Sequence, residues 1–293
     1  MPTHLIIPTH NRPNLLSRCL KSIAALGEEL TGTVVHVVEN GSNVSQAIAQ
    51  QYAQQLNLRF TQTERGNKSL ALNQVIKDIG NDNLLIFLDD DVAVRPGIIT
   101  AFQKAHDKYG PGHYFGGVLY PDYEVEPKAE HRSHLPPSAR MIDNSQGKDY
   151  REFTEFQLFM GAVWACHAGD LAAIGGFNAA FGPGAKSGAR GQEMDAELRL
   201  FENGVKPVFV RAAAVDHYVT AKMVTPDYAV ERIFLSSMHL GRERPALIHS
   251  LGLTAKLIYS FLLLPFAPNS IGHRYRIAKA AGYFIGLARR SDD

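Results

Sequence analysis

Three consecutive carboxylates, Asp89-Asp90-Asp91, follow directly on an apolar run, Leu84 to Leu88. Neighbouring like charges repel, and the run ahead of them reads as a buried strand that delivers all three to one place. A divalent cation offsets that repulsion, and Mg²⁺ and Mn²⁺ favour carboxylate, water and phosphate oxygens. A diphosphate leaving group needs such a cation as its charge develops. The plain alternative is an acidic turn that caps a helix. A second acidic cluster, Glu193 and Asp195, lies in Gly191-Gln192-Glu193-Met194-Asp195-Ala196-Glu197-Leu198-Arg199. Its plain reading is an acidic first turn that suits the helix dipole.

Carboxylates so far apart in sequence need a scaffold that gathers them. Short apolar runs at His4–Ile7, Val34–Val38, Leu58–Thr63 and Leu84–Leu88 predict strands. Helices are predicted between them at Pro13–Leu26, Val44–Leu56 and Ser69–Ile79. In the first helix Leu15, Leu16, Cys19, Leu20, Ile23 and Leu26 fall on one face, with Asn11 as N-cap ahead of Pro13. Strands alternating with helices imply βαβ units and a parallel sheet, in which ligands bind at the carboxyl ends of the strands. Thr9-His10-Asn11-Arg12, Glu39-Asn40-Gly41-Ser42, Arg65-Gly66-Asn67-Lys68 and Asp89-Asp90-Asp91 all follow such ends, which makes one composite site.

The later chain is less regular. Strands are predicted at His113–Tyr120, Phe156–Cys166, Val208–Val210 and around Val215, and helices at Gly169–Ile174, Gln192–Asn203 and Asp227–Leu240. Pro121 to Arg151 has no clear period, and a loop that long is functional or disordered. Gly182 to Gly191, with Lys186 and Arg190 inside it, reads as a mobile loop.

Of 293 residues 45% are hydrophobic, enough for one large α/β domain or two joined ones. Lys+Arg at 30 against Asp+Glu at 29 lacks the basic excess of a dedicated nucleic-acid binder. Cys19 and Cys166 both lie in apolar stretches and read as buried thiols, not a disulfide. No basic start followed by an apolar run marks a signal peptide, so a reducing cytoplasm is the expected location.

Pro8-Thr9-His10-Asn11-Arg12, Val38-Glu39-Asn40-Gly41-Ser42, Arg65-Gly66-Asn67 with Ala71-Leu72-Asn73, Leu88-Asp89-Asp90-Asp91-Val92, Gly175-Gly176-Phe177 and the Gly191-to-Arg199 helix together resemble glycosyltransferase family 2, in the right order from residue 2 to about residue 218. The resemblance implies the GT-A fold: an α/β, Rossmann-like, mostly parallel sheet flanked by helices, here with a C-terminal helical extension. It implies a nucleotide-sugar-binding half at 1–110 and an acceptor-binding, catalytic half at 111–225 of the same domain, with 226–293 as the extension. The implied activity is inverting transfer of a hexose-type sugar from a nucleotide-diphosphate donor, UDP foremost, to a saccharide or lipid-linked saccharide, with Mn²⁺ or Mg²⁺ as cofactor.

The resemblance also implies roles by position. Glu39 stands where the family usually has an Asp that hydrogen-bonds the base. Thr9 and Arg12 line the nucleotide and phosphate pocket, and Asn67 and Asn73 face the donor. Asp89 and Asp91 are the outer residues of the Asp-x-Asp motif around Asp90, with Asp91 on the metal and Asp89 on the ribose or sugar. His217 follows a strand where some members place a further metal ligand; an ordinary satisfied histidine is the alternative. Gln192 and Glu193 replace the family's Glu-Asp pair, which leaves Glu193 as first candidate for the general base and Asp195 as second. Trp164 either stacks on an acceptor sugar or packs in the core. Gly176 and Phe177 shape the acceptor side.

Past Arg242 the composition changes. Leu257 to Phe266 is almost entirely apolar, Pro265 and Pro268 interrupt that region, and Ala280 to Ala288 is mostly apolar. Eight Lys or Arg and one acid, Glu243, lie between Arg242 and Arg290. The runs fall short of the roughly 20 residues that cross a bilayer. They predict helices lying on an anionic membrane at the inner face, with a lid or an oligomer contact as the alternative. Two other functions stay open: a nucleotidyltransferase, against which Thr9 to Pro13 lacks a glycine-rich phosphate loop, and a nucleotide-sugar-binding protein without catalysis. A dinucleotide dehydrogenase is disfavoured, since no Gly-x-Gly-x-x-Gly follows the first strand.

Overall fold

Strand β1 (Thr3–Thr9), helix α1 (Pro13–Ala24), β2 (Thr33–Asn40), α2 (Gln46–Tyr52), β3 (Leu58–Thr63), α3 (Lys68–Ile76) and β4 (Leu84–Leu88) alternate as the hydrophobic pattern predicts. The computed structural model describes residues 2–41, 43–64, 66–185, 191–243, 247–263 and 270–289. Ser42, Arg65, Lys186, Arg190, Pro265 and Pro268 lie outside the described residues. Every residue of β1 and β4 is buried, because successive side chains point to opposite faces and helices cover both. Leu5, Ile7, Val35, Val37, Leu84 and Ile86 pack with Leu16, Leu20 and Ile23 of α1. Ile6, Val38, Leu85 and Phe87 pack with Leu72, Val75 and Ile76 of α3.

The chain continues through β5 (Val92–Val94), α4 (Ile98–Tyr109), β6 (His113–Tyr123), β7 (Tyr150–Glu152), β8 (Val163–His167), α5 (Ala168–Ala173), α6 (Gln192–Glu202), β9 (Lys206–Val219), α7 (Pro226–Glu243), α8 (Leu247–Leu263) and α9 (Ile271–Arg289). The sheet runs β3-β2-β1-β4-β8-β6-β9-β5, with β7 on β9. Strands β1 to β4 pair in parallel, but β8 joins β4 antiparallel, and its pairing with β6, like β5 and β7 on β9, is antiparallel too. The expected mostly parallel sheet therefore holds for its first half only. The fold is GT-A, a mixed α/β sheet with flanking helices. The strand predicted from Phe156 begins at Val163 instead: the Phe159 N–H goes to the Glu197 carboxylate at 2.7 Å, not to a neighbouring strand.

The chain forms two compact units. The first, residues 1–120 and 141–218, holds the parallel strands and α1 to α6; the second comprises 121–140 and 219–293. Residues 121–140, expected to be a loop of the first domain, thus belong with the C-terminal helices and contain two short 3₁₀ turns, Ala129–His134 and Pro137–Ala139. Within the second unit α7 and α9 touch at backbone distance. A Cβ on Gly282 would collide with the Phe234 carbonyl, one on Gly286 with Met238, and one on Gly241 with Tyr283.

One buried pair in the first unit makes stability depend on pH. His4 Nδ1 and His36 Nε2 meet at 2.9 Å, on adjacent strands β1 and β2. Burial, then His4, then Arg59 push the His36 imidazole down to about 4, and burial lowers His4 as well. The unfolded chain binds protons here near 6.5 and the folded chain does not, so this contribution is complete above that pH and lost as pH falls toward 4. Denaturant unfolding between those limits should show a loss on the order of 1–3 kcal/mol. His36→Phe should flatten that part of the profile, and an unchanged slope would contradict the assignment.

Candidate active site

The carboxyl ends of β1, β2 and β4 lie side by side through the registers Thr9↔Glu39 and Ile6↔Phe87, which places the polar segments that follow them at one rim. Asp90 sits at the centre and is only 4% exposed. Thr9 donates to its Oδ2 at 2.7 Å and Arg12 to its Oδ1 at 3.1 Å, while the same Arg12 nitrogen reaches Asp91 Oδ2 at 3.2 Å. Burial first, then Asp91, push the Asp90 carboxyl up to about 6. Asp90 is thus the tie between the β1 and β4 loops. Thr9 is buried behind it and spends its hydroxyl there. Arg12 keeps half its side-chain surface open to solvent.

Asp91 turns the other way. Its backbone carbonyl accepts from Tyr218 N at 2.8 Å, and His217 Nε2 stands 3.4 Å from its Oδ1. Asp91 Oδ1 and His217 Nδ1 are buried and make no hydrogen bond. Burial and the neighbouring Asp89 raise the Asp91 carboxyl above the usual range, against the pull of His217 and Arg12. A carboxylate oxygen and an imidazole are ligands that Mn²⁺ accepts. Among the described residues no group of three His, Cys, Asp or Glu gathers around one point. Two protein ligands completed by phosphate oxygens and water suit a cation that travels with a diphosphate. The donor set fits the expected metal.

Asp89 lies on the opposite side, joined to the second acidic cluster by a residue that the sequence analysis places at the rim without a role. Lys68 Nζ donates to Asp89 Oδ1 and to Glu193 Oε1, both at 3.0 Å. Burial works against the Lys68 ammonium, but the two acids outweigh it and raise its pKa. Burial likewise raises Asp89, and Lys68 outweighs it and holds the carboxyl low. The sequence held only a weak hint: Lys68 stands at the start of α3, where the helix dipole slightly disfavours a cation and nearby acids offset that. Pro8, Lys68, Leu72, Asp89, Gly161 and Glu193 line a small pocket there, floored by Phe87, Trp164 and Phe177. Gly161 makes room for the base candidate, since a Cβ there would lie 2.7 Å from the Glu193 carboxyl.

Geometry separates the two base candidates. Glu193, in the first turn of α6, lines the pocket and takes a second hydrogen bond from Gln192 at 2.9 Å. Asp195 is already paired with Arg199, at 2.9 Å through Nε and 2.6 Å through Nη2. Arg199 in turn donates to the Ile174 and Gly176 carbonyls, so this pair clamps the Gly175-Gly176 turn. Asn73 grips the same turn from α3, accepting from Phe177 N at 2.8 Å and donating to Phe177 O at 2.7 Å. Gly176, at φ +73°, allows the chain to reverse there, and a Cβ would meet Asn73.

Several of the residues expected to meet donor or acceptor make contacts within the protein. Asn67 caps α3 through Leu70 N at 3.0 Å and donates to Ala179 O at 2.9 Å. Both ends of Asn73 are spent on Phe177. Glu39 is fully buried and accepts the N–H groups of Asn11 and Ser45, each at 3.2 Å, which fixes the loops after β1 and β2. Trp164 is 1% exposed and stacks on Phe87 at 4.5 Å, with Phe177 edge-on to both, so core packing takes the ring faces an acceptor sugar would need. Phe177 is buried in the same cluster.

Comparison with known proteins identifies the family and the fold. A family profile described as glycosyl transferase family 2 matches residues 4–173. Validoxylamine A glucosyltransferase of Streptomyces hygroscopicus subsp. jinggangensis is 26% identical over 222 residues, 69% of this chain and 51% of that protein. GalNAc(5)-diNAcBac-PP-undecaprenol beta-1,3-glucosyltransferase of Campylobacter jejuni is 30% identical over 124 residues, 39% of this chain and 37% of that protein. The chain spans about half the length of the first two curated relatives it matches. Among solved structures, S. aureus TarS 1-349 superposes with a TM-score of 0.59 at 14% identity, over 95% of this chain and 90% of that one. Mannosyltransferase PcManGT of Pyrobaculum calidifontis, solved with GDP-Man and Mn²⁺, gives 0.54 at 16% identity over 99% and 73%. With the profile covering more than half of the sequence and the rim built as described, the chain belongs to glycosyl transferase family 2.

Proposed function

We propose that the protein transfers a hexose-type sugar from a nucleotide-diphosphate donor, UDP-linked foremost, to a hydroxyl of a saccharide or lipid-linked saccharide, with inversion at the anomeric carbon. The observation that carries this reading is the Lys68 bridge, which sets Asp89 at the end of β4 and Glu193 at the start of α6 around one pocket. Glu193 takes the acceptor hydroxyl's proton as that oxygen attacks. Arg12 and Lys68 supply positive charge toward the phosphates, and Asp89 holds the ribose or sugar. Asp91 and His217 would hold a divalent cation, Mn²⁺ or Mg²⁺, which would supply counter-charge to the diphosphate. Attack from the face opposite that group inverts the configuration.

The donor assignment draws on neighbours of the same fold, among them TarS 1-349 solved with UDP-GlcNAc. The lipid-linked acceptor draws on the undecaprenol-linked substrate in the name of the Campylobacter jejuni relative. Such an acceptor places the reaction at a membrane surface. Both cysteines are buried and free, which fits work at the cytoplasmic face.

The test is hydrolysis of a nucleotide-sugar panel by the purified chain with Mn²⁺, followed by transfer to saccharide acceptors. One nucleotide-sugar should be cleaved to the nucleoside diphosphate well above the rest, and EDTA should abolish it. NMR of the product should show the anomeric configuration opposite to the donor's. A retained configuration would sink the single displacement, and no cleavage of any donor would favour a binding protein without catalysis.

A further inference from the structure

We infer that the outward face of α8 is a docking surface for an anionic lipid bilayer. Leu251, Ile258, Tyr259 and Leu262 are 63, 57, 56 and 67% exposed. Their spacing puts them on one side of the helix. Ten large hydrophobics are exposed among the described residues, and four of them concentrate here, so this is a patch and not scattered exposure. The opposite side of α8 is occupied: Leu253 packs with Ala280 and Tyr283 of α9.

The charge around the patch selects the occupant. Lys256 of α8 and Arg276 of α9 stand beside the patch, and neither helix contains an Asp or Glu, while Arg274 and Arg289 of α9 turn to Asp227 and Met238 of α7. Arg276 donates through Nε to Ser260 at 2.9 Å, and its guanidinium lies 5.7 Å from the centre of the Tyr259 ring. A cation is thereby held beside the aromatic member of the stripe, a pairing suited to a headgroup layer. A second copy docked symmetrically would set this basic edge against itself. Acidic phospholipid headgroups complement it. The helix has 17 residues, about 25 Å at 1.5 Å per residue. No helix among the described residues is long and apolar enough to cross a membrane, so α8 lies along the surface with its apolar side down.

For its purpose the inference rests on the lipid-linked acceptor proposed above, but vesicle binding itself needs neither donor nor acceptor. The full chain is floated with vesicles of phosphatidylcholine alone or mixed with phosphatidylglycerol. About tenfold more protein should rise with the anionic vesicles, and the difference should shrink at high salt. Combined Leu251→Glu, Ile258→Glu and Leu262→Glu should stay at the bottom while keeping the parent's unfolding midpoint and nucleotide-sugar hydrolysis. Lys256→Glu, which leaves the apolar stripe intact, should weaken binding to anionic vesicles alone. The proposal is overturned if the parent fails to rise, if the triple variant rises equally, or if the parent is a dimer that the triple variant dissolves without any lipid preference. Transfer to a soluble saccharide without flotation would remove the docking surface and leave the enzyme; flotation without any transfer would do the reverse.

Discussion

Glu193→Gln is expected to lower sugar transfer by about 10²–10⁴-fold, the usual cost of losing a general base, roughly 3–5 kcal/mol of barrier. Gln keeps the length of the side chain and an oxygen that can accept from Lys68, so the link to Asp89 survives and donor binding should change little. Single-turnover transfer and calorimetric donor affinity, measured on the same preparation, separate the two effects. Asp195→Asn is the control. Its carboxylate is committed to Arg199 and through it to the Gly175-Gly176 turn, so this change should lower the unfolding midpoint and spare turnover of the folded fraction. Full activity in Glu193→Gln with none in a well-folded Asp195→Asn would move the base to Asp195.

The second large effect falls on Asp91. Asp91→Asn removes the charge that would hold the cation and leaves the Tyr218 contact intact, because that contact is to the backbone carbonyl. Mn²⁺-dependent affinity for nucleoside diphosphate should drop at least about tenfold, near 1.4 kcal/mol. Turnover should fall further, by about 10²-fold or more, since the leaving group loses its counter-charge. Calorimetry of the parent and the variant, each with Mn²⁺ and with EDTA, reads this directly. Four equal affinities would remove the metal from the mechanism. Asp90→Asn offers a contrast: Asp90 is buried under Thr9 and Arg12, so its loss should appear as instability ahead of any metal effect.

How far the sequence alone could see follows from what kind of force placed each residue. The run Leu84 to Leu88 ending in three acids was legible because strand burial and charge repulsion are both local. The βαβ alternation over β1 to β4 was legible for the same reason. The antiparallel half was not, because the pairing of β8 with β4 joins segments some eighty residues apart in sequence with no short connection to announce it. The residues assigned roles by position differ in what they touch. Asp91 and His217 approach each other at 3.4 Å. Asn67, Asn73 and Glu39 are polar residues at the right rim whose hydrogen bonds go to backbone groups of neighbouring loops. A motif reports that a polar atom is needed and does not say whether a ligand or a loop needs it. Lys68 was legible as a rim residue but not as a bridge, because its partners come from β4 and α6, far away in sequence.

The glycines between α7 and α9 reverse an ordinary rule of protein engineering. In the interior of a helix, glycine to alanine normally gains about 0.5–1 kcal/mol through propensity and lower unfolded-state entropy. Gly241, Gly282 and Gly286 sit where a methyl group would strike the carbonyl of the facing helix. The substitution that makes each helix better by itself therefore makes the pair worse. A thermostabilising library that scores sites by helix propensity would rank these three positions among its best choices, and each would unpack the unit it was meant to strengthen.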